Sequence, residues 1–275
     1  MKPKSPILSS LKEVLNLIKR YKLVITAIFL LEIIFFSVLF LVNVKYQSRI
    51  YESVANVLEY LEKQELTEEA VGIGLLTQQS LLGEDPLMIY ENYKVMVNSI
   101  LLLVVFSFFI FVGINGMSWS LTHHMSKKKG LKSFLAYIGK FAVIAAAYSI
   151  LILLFLYTIF KFSIMDKLSA GEITLVSFLP LLLLIIIFYF AFVSLALAGK
   201  YSLKDIAKKT LVIGTKKAHI IIAAYLIDAL VVAFFSFLLF LSVDLHIVIL
   251  ITAMLLFIAS IVFSRMFLVL VVDKL

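Results

Sequence analysis

Six long runs of apolar residues restrict the fold of this chain more than any other feature of the sequence. They cover residues 23–42, 97–119, 141–160, 175–197, 220–241 and 247–263. Each is close to the ~20 residues that a helix needs to cross a ~30 Å hydrocarbon layer. Backbone groups in hydrocarbon are satisfied only in helices or closed barrels, and none of these runs alternates as barrel strands do. We therefore predict an all-α, polytopic membrane bundle of six transmembrane helices, a single domain over residues 1–275.

The composition agrees with a membrane protein and gives no sign of an enzyme. Hydrophobic residues make up 63% of the chain, whereas about half of a soluble domain is apolar. There is no cysteine, which excludes disulfides, thiolate metal sites and cysteine nucleophiles. Zinc-protease, serine-hydrolase and phosphate-loop motifs do not occur in the sequence. We predict a non-enzymatic protein with no catalytic, metal or cofactor site.

The basic residues predict the orientation of the spans. Nineteen of the 25 lysines and arginines lie in the N-terminal segment, in the second and fourth connections, and at the C-terminal end, to which we assign Arg265 and Lys274. Cytoplasmic loops carry such an excess, so we predict a cell-membrane protein with both termini cytoplasmic. Basic side chains on that side are expected to contact anionic headgroups rather than nucleic acid. The expected contacts are Lys12, Lys19, Arg20, Lys127, Lys128, Lys129, Lys204, Lys208 and Lys209.

An acidic segment, residues 43–94, separates the first two spans and falls on the opposite, extracytoplasmic side. It carries nine acidic residues. Its first half has apolar residues at helical spacing, which predicts an amphipathic helix, and Glu84-Asp85-Pro86 indicates a turn. Two interpretations stay open: a helical cap over the bundle, or a docking surface for a partner protein or a cation.

Three stretches of the chain resemble one another. They read SLKEVLNLIKRYKLVITAIFLLEIIFF from Ser10, GLKSFLAYIGKFAVIAAAYSILILLF from Gly130, and SLKDIAKKTLVIGTKKAHIIIAAYLIDALVVAFF from Ser202. Each begins with a small residue suited to a helix N-cap, and Glu13 and Asp205 would complete capping boxes. Chance likeness among leucine- and lysine-rich segments is the alternative to an internal repeat.

The repeat predicts three units, each an interfacial helix followed by a transmembrane hairpin. In the first copy Leu11, Val14, Leu15 and Ile18 form one apolar face. A basic amphipathic helix of this kind lies in the membrane interface with its apolar face toward the lipid. All three copies have the same orientation, unlike the inverted repeats that are common in transporters.

The third copy and its flanks, FYFAFVSLALAGKYSLKDIAKKTLVIGTKKAHIIIAAYLIDALV, carry a family resemblance. A span, a short basic amphipathic helix and a second span follow one another. This part of the chain resembles a loose group of prokaryotic six-span membrane proteins. The group includes the membrane domain attached to some glycerophosphodiester phosphodiesterases. The resemblance covers residues 107–241 and implies a six-span fold without a catalytic residue.

Two carboxylates fall in the middle of predicted spans. Glu32 and Asp228 lie ten and eleven residues past the basic residue before their spans, a depth of roughly 15 Å. A charge there costs at least ~2.5–3.5 kcal/mol, so both side chains should point inward. No lysine or arginine of the predicted spans reaches this depth. We therefore expect the carboxyl groups to hydrogen-bond to each other, to Ser149 or to Ser107, without an ion pair.

The two carboxylates leave two functional hypotheses open. As interhelical hydrogen-bonding groups they would suit a scaffold, assembly or accessory subunit that acts through lipid and partner contacts. As a proton- or cation-binding site they would suit a small coupled transporter or channel. His123 and His124 are expected to be a solvated pair at the membrane interface, where Trp119 should also lie.

Overall fold

The computed structural model describes residues 5–63, 86–127, 131–161 and 179–275, and their regular structure is entirely helical. Six helices are long and apolar enough to cross a membrane. This confirms the predicted all-α fold of a six-span membrane protein. The Gly130 start of the second repeat, together with Lys128, Lys129, Glu84 and Asp85, lies outside the described residues.

The helices follow in the order in which the apolar runs predict them. They are α1 (Pro6–Arg20), α2 (Lys22–Lys63), α3 (Pro86–Ile110), a π-helical turn (Phe111–Asn115), α4 (Gly116–Lys127), α5 (Leu131–Lys161), α6 (Leu179–Leu197), α7 (Leu203–Lys216), α8 (Ala218–Leu241) and α9 (Ile247–Asp273). The spans are α2, α3 continued through α4, α5, α6, α8 and α9.

The backbone forms two compact units. The first holds residues 1–33 and 112–275, and the second holds residues 34–111. The second unit is a helical hairpin of α2 and α3. Along it Tyr46 stacks on Phe106 at 5.9 Å between ring centroids, and the Asn56 amide donates to Asn92. The predicted helix in the first half of the acidic segment is present as a direct continuation of the first span.

Helix α9 is the central element of the first unit. It contacts α1, α4, α6 and α8, and its C-terminal half is buried almost continuously from Val262 to Val272. A helix that is apolar on all sides is suited to such a position. The main core cluster joins α9 to α1, α2 and α8 through Met266, Val14, Ile28 and Ala224.

Helix α1 begins earlier than predicted and uses its apolar face differently. Its N-cap is Ser5 with a proline at the first helical position, and Ser10 is fully buried inside the helix. Glu13 therefore completes no capping box. It pairs with Lys274 at 2.8 Å. Val14 is buried in the core beside α9, and Leu11 and Ile18 pack against the same cluster, whereas Leu15 is 50% exposed. The prediction that this face lies against lipid is therefore wrong for Val14.

Helix α7 begins where the repeat predicts. The Ser202 hydroxyl accepts a hydrogen bond from the Asp205 backbone N–H and donates one to the Asp205 carboxylate at 2.6 Å. In the second copy the amphipathic stretch and the span form one unbroken helix, α5. The first and third copies are interrupted, at Tyr21 and Lys217. A separate short helix before the span is thus a feature of these two copies.

Candidate functional site

A buried ion pair joins the first and last membrane-spanning helices. The Glu32 Oε1 and Arg265 Nη1 atoms are 2.6 Å apart, and the two side chains are 2% and 6% exposed. The contact is an ion pair without the alignment of a hydrogen bond. Removing either charge from water costs several kcal/mol, which a close counter-charge offsets in part. The pair explains how a carboxylate can stand in the middle of an apolar helix.

The predicted absence of an ion pair is wrong because the sixth span is longer than predicted. We ended that span at residue 263 and assigned Arg265 to the C-terminal end. Helix α9 continues to Asp273, so Arg265 lies eight residues, or about 12 Å, inside its end. Residues 266–272 read MFLVLVV, and this apolar stretch was the signal that Arg265 belongs to the span.

Two further side chains hold the guanidinium. Arg265 Nη2 donates to Asn115 Oδ1 at 2.8 Å, and its central carbon lies 5.6 Å from the ring centre of Trp119. Asn115 ends the π-helical turn, a local change of helix register that often occurs at functional sites. Trp119 is buried and stacked on Phe192. The indole ring is therefore enclosed by protein side chains, and its position at the membrane interface stays a prediction.

The small residues that follow the π turn allow close helix packing at one point. A side chain at Gly116 would come within 3.2 Å of the Phe141 ring, whereas one at Gly113 would meet nothing within 4 Å. Ser118 and Ser120 are buried nearby. The absence of a side chain at Gly116 therefore permits the close approach of α4 and α5 at this point.

The second carboxylate has a different neighbour. Asp228 is 8% exposed. The polar side chain that interacts with its carboxyl group is the hydroxyl of Ser264. The two groups are not aligned as a hydrogen bond. Neither Asp228 Oδ1 nor Ser264 Oγ has a hydrogen-bond partner among the described residues. Both carboxylates are buried as expected, but α9 supplies the neighbour of each, through the consecutive residues Ser264 and Arg265.

The two predicted hydroxyl partners lie elsewhere. Ser149 is half-buried on α5, and in the described part of the chain it makes no hydrogen bond to either carboxyl group. Ser107 is half-buried on α3, in the second unit. The expectation that Glu32 turns toward another acid or a hydroxyl is wrong, because Arg265 is its partner.

His123 belongs to a polar cluster at the C-terminal end of α6. Its Nε2 lies 3.3 Å from the Leu195 carbonyl oxygen, which also accepts from the Tyr137 hydroxyl at 3.0 Å. Lys140 donates to the Tyr201 carbonyl at 2.8 Å. The last carbonyls of a helix lack helical donors and carry partial negative charge. His123 is therefore a buried structural group, and the predicted solvated pair is wrong for it.

Six of the candidate headgroup contacts lie at one end of the first unit. Lys274 links the end of α9 to α1, and Lys200, just before α7, donates to the Asp273 carbonyl. Helices α1 and α7 are thereby brought to the same end. The exposed basic side chains there include Lys12, Lys19, Arg20, Lys204, Lys208 and Lys209. Lys127, another candidate contact, is the last residue of α4.

No group of three or more metal-ligating side chains occurs among the described residues.

No protein-family model, curated protein or solved structure matches this chain. The resemblance to the six-span membrane domains therefore stays a prediction.

Proposed function

We propose that this integral membrane protein is non-enzymatic and acts as a scaffold, assembly factor or accessory subunit through lipid and partner contacts. The observation that carries the proposal is the basic end of the first unit. Helices α1 and α7 each bury part of their apolar side chains in the protein, Val14 and Ile206 among them, and expose lysines such as Lys12 and Lys208. A fixed basic surface of this kind attracts anionic headgroups by about 1 kcal/mol per lysine or arginine.

The ion pair supports a scaffold over a transport pathway through Glu32. A transport carboxylate must exchange its proton or cation with water on each side of the membrane. Glu32 is held against Arg265 and is only 2% exposed in its side chain. The neighbours Asn115 and Trp119 fix the guanidinium in turn. Such an arrangement favours a rigid bundle.

We place the basic end in the cytoplasm of a cell whose plasma membrane the protein spans, following the excess of lysine and arginine at that end. The acidic segment, residues 43–94, would then be extracytoplasmic, and the hairpin of α2 and α3 would carry partner contacts. Helix α2 has 42 residues, about 63 Å, roughly twice the length needed to cross the membrane. Its distal part, with the start of α3, exposes Tyr51, Leu58, Tyr90 and Tyr93. Exposed apolar groups of this density are typical of interaction sites.

In-cell photo-crosslinking tests the partner contact. A benzophenone amino acid would replace Tyr90 on the hairpin or, as a matched control, Tyr157 on α5, since the two tyrosines are 62% and 63% exposed. We expect one adduct of reproducible mass from position 90 in the native membrane and none from position 157. Equal labelling at both positions, or none at position 90, would contradict a partner contact at the hairpin.

A proton-coupled transporter is the second candidate, and Asp228 is the observation that favours it. Its Oδ1 atom is buried and has no hydrogen-bond partner among the described residues. The test is proton flux in liposomes that contain the purified protein, compared with the Asp228→Asn variant. Flux that disappears in the variant would replace the scaffold proposal. An equal background leak of protons in the unmodified protein and in the variant would support the scaffold proposal.

A further inference from the structure

The first unit contains an apolar groove that none of the roles above uses. It has a volume of about 300 Å³, at the lower end of the about 300–1,000 Å³ that ligand pockets occupy. Three helices line it, with side chains that include Ile18 of α1, Ile25 and Phe29 of α2, and Val262 and Met266 of α9. Val262 and Met266 are buried at its base. The groove is therefore built from the core cluster and is not a gap between loosely packed helices.

The groove has a charged residue at one end. Lys22 lies three, four and seven residues before Ile25, Thr26 and Phe29 in α2, spacings that place all four on one face of the helix. The Lys22 side chain is exposed, and the Thr26 hydroxyl bonds back to the Lys22 carbonyl oxygen at 3.0 Å. Lys19 and Arg20, at the end of α1, are also exposed. One end of the groove is thus cationic, and its length is apolar.

The groove extends over about two thirds of the hydrocarbon depth of one membrane leaflet. From Lys22 to Phe29 the rise along α2 is about 10 Å, and half of a hydrocarbon layer is about 15 Å. An occupant would place a negative group at the basic end and an apolar chain beside Phe29 and Met266. This is the charge pattern of an anionic phospholipid.

Other occupants fit less well. A partner transmembrane helix favours small residues where it packs closely, and the groove is lined mainly by bulky side chains such as Ile25 and Phe263. We propose that the groove binds one acyl chain of a glycerophospholipid whose anionic headgroup contacts Lys22. The inference deepens the proposed lipid contacts of the basic end and rests on them.

Native mass spectrometry of the detergent-purified protein tests the headgroup preference. Dioleoylphosphatidylglycerol and dioleoylphosphatidylcholine would be added in equal amounts. We expect one retained phosphatidylglycerol and little retained phosphatidylcholine. Lys22→Gln should lower the preference about fivefold, the effect of one basic residue near a headgroup. Lys94→Gln is the matched control, because Lys94 is an exposed lysine of α3 that belongs neither to the groove nor to the candidate headgroup contacts. Equal effects of the two variants would overturn the proposal.

A photoreactive lipid locates the bound acyl chain without any change to the protein. Phosphatidylglycerol with a diazirine in its acyl chain should label the groove, at Ile25, Phe29 or Met266. Labels spread over lipid-facing positions such as Leu181, which is 56% exposed, would overturn the proposal. Ala259→Phe fills the groove from α9 and should abolish the labelling at Phe29. Because the label positions are first determined in the unmodified protein, a folding defect in the Ala259→Phe variant cannot by itself decide the outcome.

The two proposals can fail separately. The groove is tested by lipid retention and labelling within the first unit. The scaffold proposal is tested at Tyr90 of the hairpin and by flux. A chain that transports protons could still hold a phospholipid, and a scaffold could lack this lipid site.

Discussion

Neutralising Glu32 should destabilise the bundle far more than neutralising an exposed acid. Glu32→Gln removes the counter-charge of Arg265 but leaves the guanidinium at a position where it is 6% exposed. Breaking a buried ion pair from one side costs about 3–5 kcal/mol. The Asn115 oxygen and the Trp119 ring still face the guanidinium in the variant. We therefore expect a loss near the lower limit, about 3 kcal/mol.

The loss can be measured as the free energy of unfolding when a mild-detergent micelle is titrated with sodium dodecyl sulfate and helix content is followed by circular dichroism. The matched control is Glu13→Gln. Glu13 pairs with Lys274 at 2.8 Å, but the side chains are 46% and 29% exposed. Exposed pairs of this kind contribute at most about 1 kcal/mol. Comparable losses for the two variants would refute the reasoning.

A double variant adds an independent check. Glu32→Leu with Arg265→Met replaces both charges by apolar groups, a change that is often neutral or stabilising for buried pairs. We expect the double variant to recover most of the stability lost by Glu32→Gln. A double variant as unstable as the sum of its two single changes would show that the charges do not interact.

Five further substitutions test the helix packing, a helix cap and the second buried acid, each measured by the same detergent titration. Gly199→Ala would drive a methyl group into the buried imidazole ring of His123 and should lower the free energy of unfolding by about 1–3 kcal/mol. Gly139→Ala, with open space around the added methyl group, should raise it by about 0.5–1 kcal/mol. Ser202→Ala removes a helix cap and should cost about 1 kcal/mol, whereas Ser10→Ala, inside a helix, should cost less. Asp228→Asn should change stability by about 1 kcal/mol or less, and a larger loss would indicate an interaction that the structure lacks.

The fold class could be predicted from the sequence because each apolar run determines its own structure. In hydrocarbon, a run of about 20 apolar residues must form all of its backbone hydrogen bonds within itself, and it therefore becomes a helix. The burial of Glu32 and Asp228 could be predicted for a similar reason, since lipid rejects a charge at that depth. The cap at Ser202 depends only on residues three apart. In all these cases the physical cause lies within one helix.

The partner of each carboxylate depended on how the helices are arranged around α9. Depth along a helix follows from residue number, but which helices are neighbours, and which faces meet, depends on the packing of the whole unit. The end of α9 is one such case, because burial of residues 266–272 against α1 and other neighbours keeps Arg265 inside the bundle.

The sequence by itself determined the six spans, the amphipathic character of α1 and α7, and the inward direction of the two acids. The tertiary structure decided that Val14 of α1 packs in the core beside α9, that Glu13 pairs with Lys274, and that Glu32 pairs with Arg265. The physical reason is the range of the interactions. Transfer from water to hydrocarbon acts on each segment separately, whereas an ion pair exists only where two distant segments come into contact.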